Sequence, residues 1–217
     1  MDKVKYFFQQ SWLLIVASFF FGLLIAVANA AWQDNILQNE ENKFNDLVRE
    51  MIPDANASEI VLEDVEVESR KGKKKLTSVR KVVSAEGRRI GWAFMCEGSG
   101  FADKIRLVIA ADSEFEKFFG FKVLSSYETP GFGSKIAEDD PESNEDLVDE
   151  FKDAPVGEFV LVKTGRRRED ESQPNDGLII AISGATVSSD AVVKIFNAYA
   201  DEVKDKLREK GHIGNGE

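Results

Sequence analysis

The stretch LIIAISGATVSSDAVVKIFNAYADEVKDKLREKG, residues 178–211, decides how the rest of the chain is read. Its first part, LIIAIS at 178–183, is an apolar run too short for a helix and predicts a buried strand. The small-residue turn Ser183-Gly184-Ala185-Thr186 follows. Beyond it Val192, Phe196, Ala200, Val203 and Leu207 fall on one stripe at helical spacing, with Ser188 or Ser189 as N-cap and Gly211 as the stop. A small-residue turn between strand and helix lets backbone N–H groups approach a ligand, and the helix N-terminus adds partial positive charge. That combination suits an anion such as a phosphate, with the hydroxyls of Ser183, Thr186, Ser188 and Ser189 as further donors. The same residues would equally make an ordinary capped helix start that binds nothing.

Upstream, Phe44, Leu47, Val48 and Met51 recur at i, i+3, i+4 and i+7, so residues 36–52 read as a helix that Pro53 ends. Short strands follow. One is marked by Val61, Val65 and Val67, the next spans 76–84, and the basic SRKGKKK at 69–75 reads as the solvated tip between them. Residues 89–97 alternate through Ile90, Trp92, Phe94 and Cys96 and predict a half-buried strand with Cys96 as a small core residue. Residues 104–112, 118–128 and 158–163 add further strands, and the acidic 137–153 reads as an exposed loop with a short helix. About six strands and two or three helices in mixed order make an α+β fold with a mixed or antiparallel sheet.

The chain has 217 residues with 28 basic and 39 acidic side chains, a net charge of −11. An acidic balance excludes a phosphate-backbone binder, so no nucleic-acid partner is expected. One cysteine, Cys96, and one histidine, His212, cannot build a thiolate or imidazole metal cage, and His212 reads as idle in a polar tail. No triad or paired carboxylates suggest a catalytic residue.

The charge is unevenly spread. Tyr6 to Gln33 is uncharged, and Trp12 to Trp32 would span roughly 30 Å as a helix with a tryptophan at each end. A retained anchor is the favoured reading. Ala28-Asn29-Ala30 offers the alternative of a cleaved signal peptide. Lys3 and Lys5 precede the run and no Lys or Arg follows before Lys43, which sets the N-terminus inside and the acidic body outside.

A second turn carries chemistry. In Tyr127-Glu128-Thr129-Pro130-Gly131-Phe132-Gly133, Pro130-Gly131 signals a tight turn that holds Phe132 outward, where it would cover a flat aromatic ligand or pack locally on the surface.

S-G-A-T at 183–186 with E-T-P-G-x-G at 128–133, behind one N-terminal apolar helix, resembles the FMN-binding domain family. The layout is similar to the G subunit of the Rnf ferredoxin:NAD oxidoreductase and to the homologous C subunit of the sodium-pumping NADH:quinone oxidoreductase. The resemblance implies FMN held covalently, its phosphate esterified to a threonine by a separate flavin transferase. The matching threonine is Thr186, in a motif with Ser183, Gly184 and Ala185, and Ser188 and Ser189 follow it. Glu128, Thr129, Pro130, Gly131 and Gly133 match the turn that lies against the flavin, with Phe132 in a place usually held by leucine. Gly100-Phe101 matches a Gly-Tyr pair. Ile180 stands where relatives often carry an aspartate read by the transferase, and Asp103 replaces the usual glycine or proline. Ser183 is closer to the quinone-reductase branch, the modest length to the Rnf branch.

On this resemblance the chain divides into a cytoplasmic N-terminus (1–11), a transmembrane helix (12–32), a membrane-proximal helix and first strand region (33–75), the FMN-binding domain (76–211) and a polar tail (212–217). The implied function is a single-pass subunit of the inner (cytoplasmic) membrane that relays electrons on its outer, periplasmic face. Its partners would be the other membrane subunits of a redox-driven ion pump. The alternatives are an FMN-binding sensory or regulatory membrane module, the related domain of a sodium-pumping quinone reductase, and a binding domain that has lost its cofactor.

Overall fold

The computed structural model describes residues 2–68, 74–137, 145–162 and 177–214. The chain falls into two compact units, Met1–Lys43 and Phe44–Glu217. Residues 69–73, 138–144, 163–176 and 215–217, which include most of the basic 69–75 cluster, part of the acidic 137–153 stretch and nearly all of the polar 165–177 stretch, lie outside the described residues.

The first unit is helical. Helix α1 runs Asp2–Met51, so the two helices read separately from the sequence are one. Gln33, Asp34 and Asn35 between them include neither glycine nor proline, and nothing breaks the backbone ladder. From Ser11 onward the helix is long and apolar enough to cross a membrane by length and composition. Trp12, Phe19, Phe20, Phe21 and Trp32 are all exposed. The Ser18 hydroxyl donates to the Leu14 carbonyl at 2.7 Å, which satisfies it without solvent.

The second unit is built on a five-stranded sheet of β1 (Ala57–Glu68), β2 (Lys74–Val83), β3 (Arg89–Ser99), β4 (Lys104–Asp112) and β5 (Phe118–Ser126), in sequential order. Every pairing in it is antiparallel. Two short strands, β6 (Val160–Val162) and β7 (Leu178–Ile180), form a separate parallel pair, which brings the described strands to seven rather than six. Helix α2 (Glu145–Phe151) precedes β6, and α3 (Thr186–Glu209) closes the fold.

Both faces of the sheet are covered. Phe44, Val48 and Ile52 pack against Val82, Ala93, Val108, Ala110 and Leu124 on one face. The predicted stripe of α3, including Val192, Phe196, Val203 and Leu207, belongs to the core on the other, with Trp92, Phe94 and Cys96. Strand β3 is therefore buried on both sides at its middle instead of half-buried, since the end of α1 covers the face that alternation assigned to water. Strand β1 slips register between Ile60 and Leu62 and again before Val65, with Asp64 at φ 53°. These irregularities bury Leu62, Val65 and Val67 and leave Val61 only partly covered. Five phenylalanines, Phe118, Phe121, Phe151, Phe159 and Phe196, form the densest part of the core, with Phe151 stacked on Phe196 at 4.0 Å between centroids.

Farther along α3, the Tyr199 hydroxyl donates to the Glu97 carbonyl and accepts from the Glu97 amide, both at 3.2 Å. Burial is the main cause that pushes its pKa up to about 12. The helix ends in a Schellman motif: Gly211 N–H donates to Arg208 O and His212 N–H to Leu207 O, each at 2.9 Å. Gly211 sits at φ 72°, a left-handed conformation that a Cβ opposes. Gly211→Ala is expected to cost about 1 kcal/mol, read as a lower urea midpoint at unchanged slope. His212 is not idle. The His212 ring lies 6.0 Å from that of Trp92, its carbonyl accepts from Arg89 at 2.6 Å, and Ile213 is buried. One apolar residue, Ile213, draws the chain next to His212 onto the core.

Candidate functional site

The structure starts α3 at Thr186, two residues before the serines expected to cap it. Ala185 is the N-cap and has no side-chain oxygen to offer. The serines are used otherwise. Ser189 Oγ donates to Ala185 O at 3.0 Å and accepts from the Ile182 amide at 3.2 Å. Ser188 Oγ donates to Glu128 Oε2 at 2.6 Å. The first bond of the helical ladder is Ser189 N–H to Ala185 O. The amides of Thr186, Val187 and Ser188 thus precede the ladder with no side-chain cap over them, and the first turn contains no acidic residue. Thr186 and Val187 are exposed beside these amides. Gly184, at φ 80°, makes the sharp bend that aims the turn outward.

The second motif forms a type II turn: Phe132 N–H donates to Thr129 O at 3.1 Å, with Pro130 leading and Gly131 at φ 74°. Ser134 N–H also donates to Thr129 O, and the Gly131 amide donates to Ser134 Oγ at 2.9 Å. The turn projects Phe132 into solvent, 61% exposed, yet a Cβ on Gly184 would lie only 3.9 Å from its ring. The two motifs are neighbours in space. A short 3-10 segment, Gly133–Ile136, carries Lys135, whose Nζ donates to the Ser183 carbonyl at 3.4 Å. A cation therefore stands at the rim of the small-residue turn.

Glu128 ties the pieces together. It is 6% exposed. Its Oε1 accepts from the Ala102 amide at 3.1 Å, which fastens the Gly100-Phe101 turn between β3 and β4, where Gly100 N–H donates to Asp103 O at 2.7 Å. Phe101 itself is 70% exposed. The structure thus gathers the turns at 100–103 and 128–133 around the start of α3. Among the hydroxyls named from the sequence, those of Ser188 and Ser189 are buried and engaged, while Ser183 and Thr186 are exposed. Ile180 ends β7, paired with Val162. Sequence reasoning missed Lys135. A lysine two residues past Gly133 was the only available signal for Lys135.

The arrangement offers what the phosphate and ring of a flavin mononucleotide require: uncapped amides at a helix N-terminus, an adjacent cation, an exposed hydroxyl and exposed aromatic faces. Residues 100–201 match the family model for the FMN-binding domain. Over 123 residues the chain is 32% identical to the G subunit of the ion-translocating oxidoreductase complex of Methanosarcina acetivorans, a match covering 57% of this chain. It spans about half, 56%, of that relative's length. The fold resembles that of NqrC from Shewanella oneidensis, with a TM-score of 0.52 and 20% identity over 73% of this chain and 74% of the other. It also resembles the C subunit of the Na(+)-translocating NADH-quinone reductase from Parabacteroides distasonis, with a TM-score of 0.51 and 16% identity over 76% and 92% of the two chains. Residues 100–201, which hold both turns and the start of α3, are thus similar to the FMN-binding domain family, and the chain shares the fold of these C subunits.

Proposed function

We propose that the chain is a membrane-anchored flavoprotein subunit that relays electrons in an ion-translocating oxidoreductase complex of the Rnf type. The observation that carries this reading is the uncapped start of α3, with Thr186 exposed beside its amides, inside the segment matched by the FMN-binding domain family. FMN, when bound, supplies one- and two-electron transfer. The chain's own residues hold it. The amides of Thr186, Val187 and Ser188 and the Lys135 ammonium face the phosphate, while Phe132 and Phe101 offer their exposed rings. Thr186 Oγ is the attachment atom, esterified by a separate flavin transferase. Neither the Ser188 nor the Ser189 hydroxyl needs to meet the ligand, since both brace the protein frame behind it.

The anchor is α1, single-pass, with Lys3 and Lys5 on the inner side and the FMN-binding domain on the outer face of the cytoplasmic membrane. A tethered carrier with a covalent cofactor cannot diffuse away, which fits a relay between fixed subunits. The Rnf-type assignment over the quinone-reductase type is supported by the Methanosarcina relative, matched at 32% identity, whereas the quinone-reductase chains are similar in fold at 20% and 16%. The test is in-gel flavin fluorescence of the full chain, isolated from the membranes of its host and denatured. The expected result is a fluorescent band at the mass of the chain. A dark band from such preparations overturns the covalent reading.

A further inference from the structure

Glu128 is a carboxylate with almost no access to water and, among the described residues, no ion pair. Burying a charge this way is costly unless donors replace its hydration. Both oxygens have one: the Ala102 amide at 3.1 Å for Oε1 and the Ser188 hydroxyl at 2.6 Å for Oε2. Ser188 lies in the first turn of α3, so the N-terminal dipole adds a favourable field. Two glycines show how closely the backbone is drawn in. A Cβ on Gly100 would come closer than 3.0 Å to Oε1, and one on Gly133 closer than 3.0 Å to Oε2 and to Ser188 Oγ. Three separate segments, the 100–103 turn, the 128–133 turn and the helix start, therefore converge on one side chain.

We propose that Glu128 is a positioning residue, which through Ser188 locks the first turn of α3 so that Thr186 is presented outward beside the free amides, and which does not itself touch the flavin. The inference rests on the reading of Thr186 as the attachment site but concerns a different group. Its chemistry makes a sharp distinction between substitutions. In Glu128→Gln the amide oxygen accepts from Ala102 N–H and the amide NH₂ donates to Ser188 Oγ, so both links survive without the charge. Glu128→Ala breaks both. Ser188→Ala breaks the link to the helix alone and leaves one buried oxygen without its donor.

The experiment co-produces the full chain with its flavin transferase and measures covalent flavin per chain by fluorescence and intact mass, with circular dichroism as the folding control. Glu128→Ala and Ser188→Ala are expected to lower flavin loading roughly ten- to hundredfold, as displacement of a reacting group does. The double variant is expected to be no worse than the poorer single one, because both act through one link. Glu128→Gln is expected to load at the wild-type level with an unchanged visible absorbance spectrum. Wild-type loading in Glu128→Ala, failure of Glu128→Gln to rescue, or a shifted flavin spectrum in Glu128→Gln each overturns the proposal. Amide hydrogen exchange on the flavin-free chains tests the same link even if the wild type itself proves dark, an outcome that would defeat the functional reading instead. Exchange at Ser189 to Val192 is expected to rise in Glu128→Ala and not in Glu128→Gln. Equal exchange in the two variants contradicts the proposal.

Discussion

Thr186→Ala is expected to abolish covalent flavin while leaving the domain folded. Fluorescence of the denatured band should fall to background, and the intact mass should equal that of the bare polypeptide. The side chain is exposed and begins the helix without capping it, since the cap is Ala185 and the serines that brace the turn are Ser188 and Ser189. Exposed substitutions of this kind change stability by about 0.5 kcal/mol or less, which corresponds to a melting shift within about 2 °C. Wild-type fluorescence in the denatured variant would exclude Thr186 as the attachment site. A large fall in melting temperature would show that the threonine also has a structural part.

The largest effect on stability is expected at Phe196, on the buried face of α3. Its ring stacks on Phe151 at 4.0 Å and meets Phe118 at 5.2 Å, Phe121 at 5.6 Å and Phe159 at 5.8 Å, with no exposure to solvent. This side chain joins α3 to β5, α2 and the residue just before β6, so truncation leaves a cavity that no single neighbour can fill. Phe196→Ala is expected to cost about 3–5 kcal/mol, or roughly 6–20 °C in melting temperature for a unit of this size. Denaturant unfolding checks it, with a lower midpoint at an unchanged slope. A loss below about 1 kcal/mol would mean that the ring cluster repacks around the gap.

Much of this architecture is legible in the chain. Period-two alternation finds β3, and the 3.6 period finds α3 and the buried stripe of Phe44 and Val48, because those patterns reflect burial directly. Cys96 belongs to the core as its alternation predicts, at 0% exposure. The differences between pattern and structure share a cause: they depend on what covers a segment rather than on the segment itself. Strand β3 reads as half-buried because its second covering layer, the end of α1, lies far away in sequence. His212 reads as idle because Ile213 alone among the closing residues gives reason to fold back. The cap of α3 is displaced because serines usually serve their own helix start, whereas here one hydroxyl is spent on Glu128, 60 residues earlier in the chain. Pattern alone also gives no reason to connect Ala102, Glu128 and Ser188. Their proximity comes from the order of β3, β4 and β5 in the sheet.

The central claim is that Thr186 carries FMN through a phosphoester, and peptide mass spectrometry of the chain isolated from its host's membranes tests it most directly. The account predicts that the peptide containing Ser183-Gly184-Ala185-Thr186 is heavier by one FMN less one water, with fragmentation placing the addition on Thr186. An unmodified peptide at that position, or the same addition on Ser183 or Ser188 instead, would contradict it.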